Sequence, residues 1–397
     1  MTPIYLDHAA TTPLRDEVRA AMEPFGSDRF GNATSSHAWG RHARAALEDA
    51  RDRIADALGA RRQEIVFVRG GTEADNLAIV GSSLALMRPE SGDTATVPHV
   101  VTVNTEHKAV LAPAQALTRW GGRCTVLDVD SSGQLDEGGL NSALADAASL
   151  LSVMWVNNET GVIHDIDSLA RRARDRGVLF HTDAVQALGK LPVRIDNAPI
   201  DLLSLSGHKL EGPKSAAALF VRRGVALDPL LFGGGQEDGL RPGTPDVAGA
   251  VGLAEAVSLA VQEREETAEH LTRLRDSFEH ALLSQMTGVR IHGISTRRAP
   301  HISSVAIEGV EIDTLLALLD LEGVAVSTGS ACASGSRRAS HVLLALYDDM
   351  EPPTTLRFSF GRTTTGDVIE RAVGTLVRVV DQLRSAGTAV ASGEVAP

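Results

Sequence analysis

Cysteine is scarce in this sequence, because Cys124 and Cys332 are the only two among 397 residues. Two thiols cannot form a disulfide framework or a four-thiolate metal site, and a reducing compartment would keep both as thiols. Long apolar runs are also missing, since the most apolar stretch, residues 142–156, is interrupted by Asp146 and is too short to span a bilayer. The first residues lack the basic and apolar regions of a secretory signal. We therefore expect no metal site, no membrane span and a cytoplasmic location.

Basic side chains are in short supply as well. The chain has 38 lysines and arginines against 51 acidic residues, which gives a formal net charge of −13. This charge opposes non-specific contact with nucleic-acid phosphates and with anionic membrane surfaces. We therefore expect no direct nucleic-acid or membrane partner, and we favour an enzyme that acts on a small molecule.

Several familiar catalytic and nucleotide-binding motifs are absent. The sequence contains no G-x-S-x-G, G-x-x-x-x-G-K-[ST], G-x-G-x-x-G, C-x-x-C or H-E-x-x-H pattern. These absences argue against the hydrolase, nucleotide-binding and zinc-enzyme classes that such patterns mark.

What the sequence does contain is a regular alternation of short apolar runs and helical patterns over its first two thirds. This alternation is typical of a mostly parallel sheet covered by helices on both faces, so we predict an α/β fold. From about Val289 onward the strands become fewer and shorter, which indicates a smaller α+β lobe. The predicted divisions are an N-terminal arm at 1–14, a large domain at 15–260, a small domain at 261–384 and a disordered tail at 385–397.

The stretch 202–210, LLSLSGHKL, ends an apolar strand pattern abruptly and leaves Lys209 on an apolar background. An ammonium group that loses hydration has a lowered pKa, so part of the population becomes the neutral amine that condenses with an aldehyde. The expected aldehyde is pyridoxal phosphate. On this stretch alone, a polar turn after a buried strand explains Lys209 equally well.

Gly70-Gly71-Thr72 lies between a predicted strand and a predicted helix. Free backbone N–H groups, a hydroxyl and the positive end of the helix dipole converge there, so we expect an anion to bind. A plain tight turn with Thr72 as the helix N-cap is the alternative.

Two other strand ends carry polar side chains. His107 follows a strand and opens a helix, at the edge where parallel sheets collect ligands and where an imidazole can stack on a planar ring. A helix-capping role is the commoner explanation for a single histidine. Asp183 and Gln186 end another strand, and a buried aspartate there needs a cationic partner, either a pyridinium nitrogen or a nearby arginine.

Cys332 lies in a segment of small residues, STGSACASGS at 327–336, that has no apolar periodicity. A structural cysteine prefers apolar neighbours, as Cys124 has in RCTVL. Cys332 is instead close to Arg337 and Arg338, which favour a thiolate. We therefore predict a reactive role for Cys332.

Arg357 alternates with apolar residues in the predicted strand TLRFSF. Its guanidinium must either find a buried partner or point into a cleft. Bidentate capture of a substrate carboxylate fits the second case. An ion pair with an acidic residue between the lobes fits the first.

Taken in order, these motifs resemble those of the NifS- and IscS-like cysteine desulfurases, pyridoxal-phosphate enzymes of the class-V aminotransferase superfamily. The similarity runs from YLDHAATTP at 5–13 to Gly361-Arg362, which is nearly the whole chain. It implies a fold-type I enzyme with a mostly parallel, seven-stranded sheet in the large domain. The N-terminal arm would pack with the small domain, and the enzyme would be a homodimer.

The resemblance also implies roles toward pyridoxal 5'-phosphate. Lys209 would hold the cofactor covalently, His107 would stack on its ring, and Asp183 would pair with its pyridine nitrogen. Gln186 would bind the phenolic oxygen. The residues implied for the phosphate are Gly71, where many relatives have alanine, with Thr72, Ser206, His208 and, from the second subunit, Thr244.

For the substrate, the resemblance implies that Asn158 and Arg357 bind the carboxylate of L-cysteine, with help from Asn32. Cys332 would accept the sulfur as a persulfide while L-alanine leaves. The expected partner is a sulfur acceptor, either an iron–sulfur scaffold or a thiolation enzyme for tRNA or DNA. The alternatives are a selenocysteine lyase, another class-V lyase or aminotransferase, and a catalytically silent scaffold.

Overall fold

The structure is a computed structural model that describes residues 2–88, 96–328, 340–348 and 350–392, with side chains as far as residue 386. Its strands are β1 Ile4–Tyr5, β2 Ile65–Val68, β3 His99–Val103, β4 Arg123–Leu127, β5 Leu150–Ser152, β6 Leu179–Asp183, β7 Leu202–Ser206, β8 Ala217–Val221, β9 Val289–Ile291, β10 Ile302–Ile307, β11 Val324–Ala325 and β12 Thr355–Ser359. Its α-helices are α1 Asp16–Gly26, α2 Ala38–Leu58, α3 Gly71–Asn76, α4 Ser82–Met87, α5 Lys108–Ala116, α6 Glu137–Ala145, α7 Ile166–Asp175, α8 Val247–Gln262, α9 Arg264–Gln285, α10 Ile312–Leu321, α11 His341–Leu346 and α12 Gly366–Ser392.

A seven-stranded sheet in the order β2-β8-β7-β6-β5-β3-β4 forms the centre of the fold. The pairs from β7 through β6, β5 and β3 to β4 are parallel, whereas β8 pairs antiparallel with both β7 and β2. Every residue of β3, β7 and β8 is buried, as expected for strands covered on both faces. The predicted fold class is confirmed, and the carboxyl ends of the parallel strands meet at one edge.

A separate cluster of buried side chains unites the later part of the chain with its beginning. The antiparallel sheet β12-β10-β9 packs against α9, α10 and α12. Ile4 and Leu6 belong to the same cluster, and β1 pairs parallel with β11. The N-terminal segment is therefore part of this second core, while the exact domain boundaries stay a prediction.

The backbone of α12 continues to Ser392, so it includes residues 385–392 of the predicted tail, and the disorder of that tail stays a prediction. This segment contains three alanines, the residue with the highest helix propensity, and it extends a helix already held by buried residues. Residues 393–397 lie outside the described part. No helix in the described ranges is both long enough and apolar enough to cross a membrane.

Candidate active site

A cavity of about 310 Å³ opens at the carboxyl ends of the parallel strands. The predicted site residues that line it are Gly71, Thr72, His107, Asn158, Asp183, Gln186, Ser206, His208, Lys209 and Arg357. Asn32 and Thr244 are exposed and do not line it. Cys332 lies outside the described residues. Six separate stretches of the chain thus meet in one cavity.

Lys209 lies in a short 3-10 turn that follows β7 directly. Its amine donates to the carbonyl oxygens of Ala9 and Ala10, with each N–O distance 2.6 Å. Burial, with a further contribution from the positive charge of Arg357, lowers the pKa of Lys209 to about 8. A substantial fraction of this amine is therefore neutral at mildly alkaline pH.

Asp183 ends β6 and His107 caps α5, so both side chains lie at the same sheet edge. An Asp183 carboxylate oxygen accepts the N–H of Val185 at 2.8 Å. Burial raises the pKa of Asp183, while His107 and Lys209 act in the opposite direction. A cation against this carboxylate would favour its ionised form.

The helix-capping alternative for His107 is realised, because its Nδ1 accepts the N–H of Ala109 at 3.1 Å. The imidazole nevertheless lines the cavity, so capping and a ligand-facing position coexist. Burial lowers the pKa of His107, which favours the neutral ring. With Nδ1 as an acceptor, the proton of the neutral ring is on Nε2.

The predicted anion site is at the start of α3. Gly71 is the first helical residue and Gly70 is the N-cap, so the alternative that Thr72 caps the helix is wrong. Helical N–H groups in the first turn have no partner within the helix. Ser206 and His208 line the same cavity, and burial lowers the pKa of His208 to about 4. An anion here would therefore meet N–H dipoles and hydroxyls with a neutral imidazole.

Arg357 satisfies both interpretations that its sequence context left open. Its guanidinium forms an ion pair with Asp7 at 2.7 Å and donates to the carbonyl of Asn158 at 2.9 Å. It is 3% exposed, and it lines the cavity. A fixed guanidinium at the cavity wall can bind a small carboxylate in two points.

Sequence reasoning missed several groups that the fold brings to the site. The carbonyls of Ala9 and Ala10 carry no side-chain signal, and His301 is distant in sequence, yet its Nε2 lies 3.1 Å from Oε1 of Gln186. Asp75 also lines the cavity, and burial and Asp183 raise its pKa well above the usual range. A single acidic residue within a predicted helix gives too weak a signal to single out.

The sequence profile described as "Aminotransferase class-V" matches residues 4–371. The chain belongs to the class-V aminotransferase family. Among the relatives of this family member, "Cysteine desulfurase IscS" of Dictyoglomus turgidum is 42% identical over 96% of this chain and 95% of its own. The resemblance drawn from the motifs is thereby confirmed.

Solved structures agree with the assignment of this chain to the class-V aminotransferase family. A "NIFS-LIKE PROTEIN" has a TM-score of 0.88 at 31% identity and covers 96% of this chain and 100% of that chain. "SspA in complex with cysteine" has a TM-score of 0.77 at 33% identity and covers 91% of this chain and 100% of that chain.

Class-V aminotransferases of this kind depend on pyridoxal phosphate, and the cavity fits that group. The Lys209 amine suits the aldehyde, the Asp183 carboxylate suits a pyridine nitrogen, and the start of α3 suits the phosphate. A Cβ added at Gly71 would lie 3.1 Å from Cγ2 of Val185 and 3.8 Å from Cβ of Ser206. Glycine therefore leaves this part of the cavity open.

Proposed function

We propose that the protein is a pyridoxal-phosphate-dependent cysteine desulfurase that removes sulfur from L-cysteine, releases L-alanine and leaves a persulfide on Cys332. The observation that carries the proposal is one cavity lined by an amine of lowered pKa, a buried carboxylate, a helix start and a guanidinium. Relatives named cysteine desulfurase, matched over nearly the full chain, support the same reaction.

When bound, the cofactor would supply an aldehyde for the substrate amine and a cationic ring that withdraws electron density from Cα. Lys209 holds the cofactor in the resting enzyme and is the base for the Cα proton once its amine is free. A pKa of about 8 makes the neutral form of that amine accessible near neutral pH. The Ala9 and Ala10 carbonyls lie within hydrogen-bond distance of the amine and fix its position.

Asp183 and His107 support this chemistry in opposite charge states, Asp183 as an ionised carboxylate and His107 as a neutral ring. The Asp183 carboxylate, held by the Val185 N–H, stabilises positive charge on the ring nitrogen. His107, kept neutral by burial, offers a flat face without adding a second cation. The phosphate is bound by the residues around the start of α3 and the end of β7, which are Gly71, Thr72, Ser206 and His208.

Arg357 and Asn158 are the residues proposed for the substrate carboxylate, and Asn32 is a further candidate. The ion pair with Asp7 holds the Arg357 guanidinium at the cavity wall. A solved relative named as a complex with cysteine supports a cavity of this kind for L-cysteine.

The sulfur step balances without an added oxidant. The Cys332 thiolate attacks the sulfur of the substrate, so an S–S bond forms as the substrate C–S bond breaks. The electron pair of the broken bond stays with the carbon fragment, which gains a proton and leaves as L-alanine. The persulfide then moves to an acceptor protein, an iron–sulfur scaffold or a thiolation enzyme.

We further propose a homodimer in which Thr244 completes the phosphate site of the other subunit. Exposed Leu231 and Phe232, in the loop that precedes Thr244, support a contact surface there. A cytoplasmic location is part of the same proposal, because a reducing compartment keeps Cys332 as the thiol that the reaction needs.

The test measures L-alanine released from L-cysteine by the cofactor-loaded protein. We expect Lys209→Ala and Cys332→Ala each to lose roughly 100-fold or more of this activity, because each removes a reacting group. Cys124→Ala is the matched control, since Cys124 is half-buried in β4 and does not line the cavity.

Three outcomes would contradict the proposal. Full alanine output by Cys332→Ala would remove the role of that thiol. Alanine release from selenocysteine but not from cysteine would favour a selenocysteine lyase. A purified protein that binds no pyridoxal phosphate would favour a silent scaffold.

A further inference from the structure

The side-chain amide of Gln186 is held at both ends by groups from outside its own element. Its Nε2 donates to the carbonyl oxygen of Ala9 at 2.9 Å, and its Oε1 lies 3.1 Å from Nε2 of His301. Gln186 is 6% exposed and His301 is 2% exposed. Both contacts are therefore made away from water, where an unsatisfied amide group would cost about 1–3 kcal/mol.

The hydrogen-bonding chemistry of Ala9 and His301 allows only one orientation of the Gln186 amide. A backbone carbonyl only accepts hydrogen bonds, so the end of Gln186 that faces Ala9 must be the NH₂ group. The other end is then the carbonyl oxygen, and His301 must donate to it from Nε2. In the neutral ring this leaves Nδ1 without a proton, and Nδ1 of His301 has no partner among the described residues.

The surroundings of His301 favour that neutral form. The titratable groups that face it are Lys190, Lys209, Arg357 and His8. Burial first, and then these groups, lower the pKa of His301 well below its usual range. The imidazole therefore stays a single-proton donor over the pH range in which the enzyme would work.

The position of the imidazole is fixed by a different core from the one that holds Gln186. His301 immediately precedes β10, and its backbone carbonyl accepts the N–H of Phe360 at 2.9 Å. Gln186 instead follows β6 of the large sheet. The contact thus joins the small antiparallel sheet to the cavity edge of the large one.

We propose that His301 is a positioning residue that holds the Gln186 amide with its NH₂ end on the cavity side, next to Ala9. The inference rests on the proposed function and on the role that the family resemblance implies for Gln186, which would donate to the phenolic oxygen of the cofactor. A reversed amide would present a carbonyl oxygen to that oxygen and repel it. Together with the Ala9 carbonyl, His301 thereby keeps Gln186 a donor toward the cofactor.

This role has a spectroscopic consequence. A donor to the phenolic oxygen favours its deprotonated form and lowers the pH at which the visible absorbance band of the bound cofactor changes. Losing the donor raises this pH midpoint. A residue that merely fills space would leave the midpoint in place.

The experiment titrates the visible band of the cofactor-loaded protein with pH in the wild type, His301→Met and His301→Gln. Glutamine places an amide N–H close to the position of Nε2, whereas methionine has a similar shape without a donor. We expect the midpoint to rise by roughly half a pH unit or more in His301→Met and to return toward the wild-type value in His301→Gln. In a Gln186→Met background, His301→Met should have no further effect on the midpoint.

An unchanged midpoint in His301→Met would overturn the proposal, and so would equal shifts in both variants. If His301→Met does not fold, His301→Asn serves in its place, because its shorter amide ends before Gln186 and the same rise is expected. A wild-type protein that gives no cofactor band at all would instead contradict the proposed function.

Discussion

At the scale of single residues, burial in the cavity favours the neutral forms of several titratable side chains. It lowers the pKa of Lys209 to about 8 and that of His208 to about 4. It raises the pKa of Asp75 well above the usual range for carboxyl groups, and burial has the same effect on Glu106, next to the cavity residue His107 in sequence. The site therefore has a neutral amine available, while the groups proposed to bind an anion would act through dipoles.

Gly71 offers a test of how closely the cavity wall fits its ligand. A Cβ at this position would lie 3.1 Å from Cγ2 of Val185, whose N–H holds the Asp183 carboxylate. Gly71→Ala must therefore displace Val185 by a few tenths of an ångström, at a cost on the order of 1 kcal/mol. We expect the Kd for pyridoxal phosphate, measured by titration of the apoprotein, to rise a few-fold.

The neighbouring glycine is the matched control for this substitution. A Cβ at Gly70 would meet nothing within 4 Å, so Gly70→Ala should change the Kd by less than Gly71→Ala does. Val185→Ala added to Gly71→Ala should restore part of the affinity. Equal effects of the two alanine variants would show that Val185 is not the reason.

At the scale of elements, strands with clear boundaries were predictable from the sequence. The apolar runs at 65–68 and 99–103 are β2 and β3 with the same bounds, because each is a short buried run with a sharp polar end. The run at 150–156, LLSVMWV, predicts one strand, yet β5 ends at its single polar residue, Ser152. Val153 and Trp155 still donate to backbone carbonyls of β6, and Val156 forms an isolated bridge with Ile163.

Other element features gave no local signal. β1 and β11 are two residues long, which is too short for an alternation pattern. The helical pattern over 246–283 predicts one long helix, but α8 ends at Gln262 and α9 starts at Arg264. Neither glycine nor proline marks this break, so tertiary packing rather than propensity decides it.

The start of α2 provides an element-scale prediction. A Cβ on Gly40 would lie 2.3 Å from the carbonyl oxygen of Ser35 and 2.8 Å from that of Asn32. Backbone atoms cannot yield as a flexible side chain can, so Gly40→Ala must displace the loop that carries Asn32. We expect a loss of roughly 1–3 kcal/mol in the free energy of unfolding, measured with urea.

A second helical glycine supplies the control. Gly374, in α12, is exposed and has nothing within 4 Å of an added Cβ. Gly374→Ala should stabilise the protein by about 0.5–1 kcal/mol, because alanine has the higher helix propensity. A Gly40→Ala variant as stable as the wild type would contradict the close approach of the Ser35 carbonyl.

At the scale of the whole molecule, the site is assembled from segments that no local pattern connects. Residue types at strand ends predicted Lys209, His107 and Asp183 as candidates, and the family resemblance supplied their shared ligand. The contacts of Ala9 and His301 depend on how the second core is placed against the large sheet. That placement is a property of the folded chain, so sequence reasoning could not reach it.

Acid stability is the last property to follow from the whole fold, because several histidines are buried without charge. His164 is 3% exposed, and burial lowers its pKa to about 4. In the unfolded chain its imidazole takes up a proton near pH 6.5, so the unfolded state binds more protons as the pH falls between these values. The native state therefore loses about 3 kcal/mol through this residue between about pH 6.5 and pH 4.

The prediction is tested by comparing His164→Gln with the wild type in urea unfolding at about pH 7 and about pH 4.5. Glutamine does not titrate, so its packing cost is the same at both values while the wild-type penalty grows. We expect the stability of the variant relative to the wild type to increase by roughly 2–3 kcal/mol at the lower pH. His42→Gln, at an exposed position of α2, should follow the wild-type curve. Parallel curves for His164→Gln and the wild type would mean that His164 accepts its proton inside the folded protein as readily as outside it.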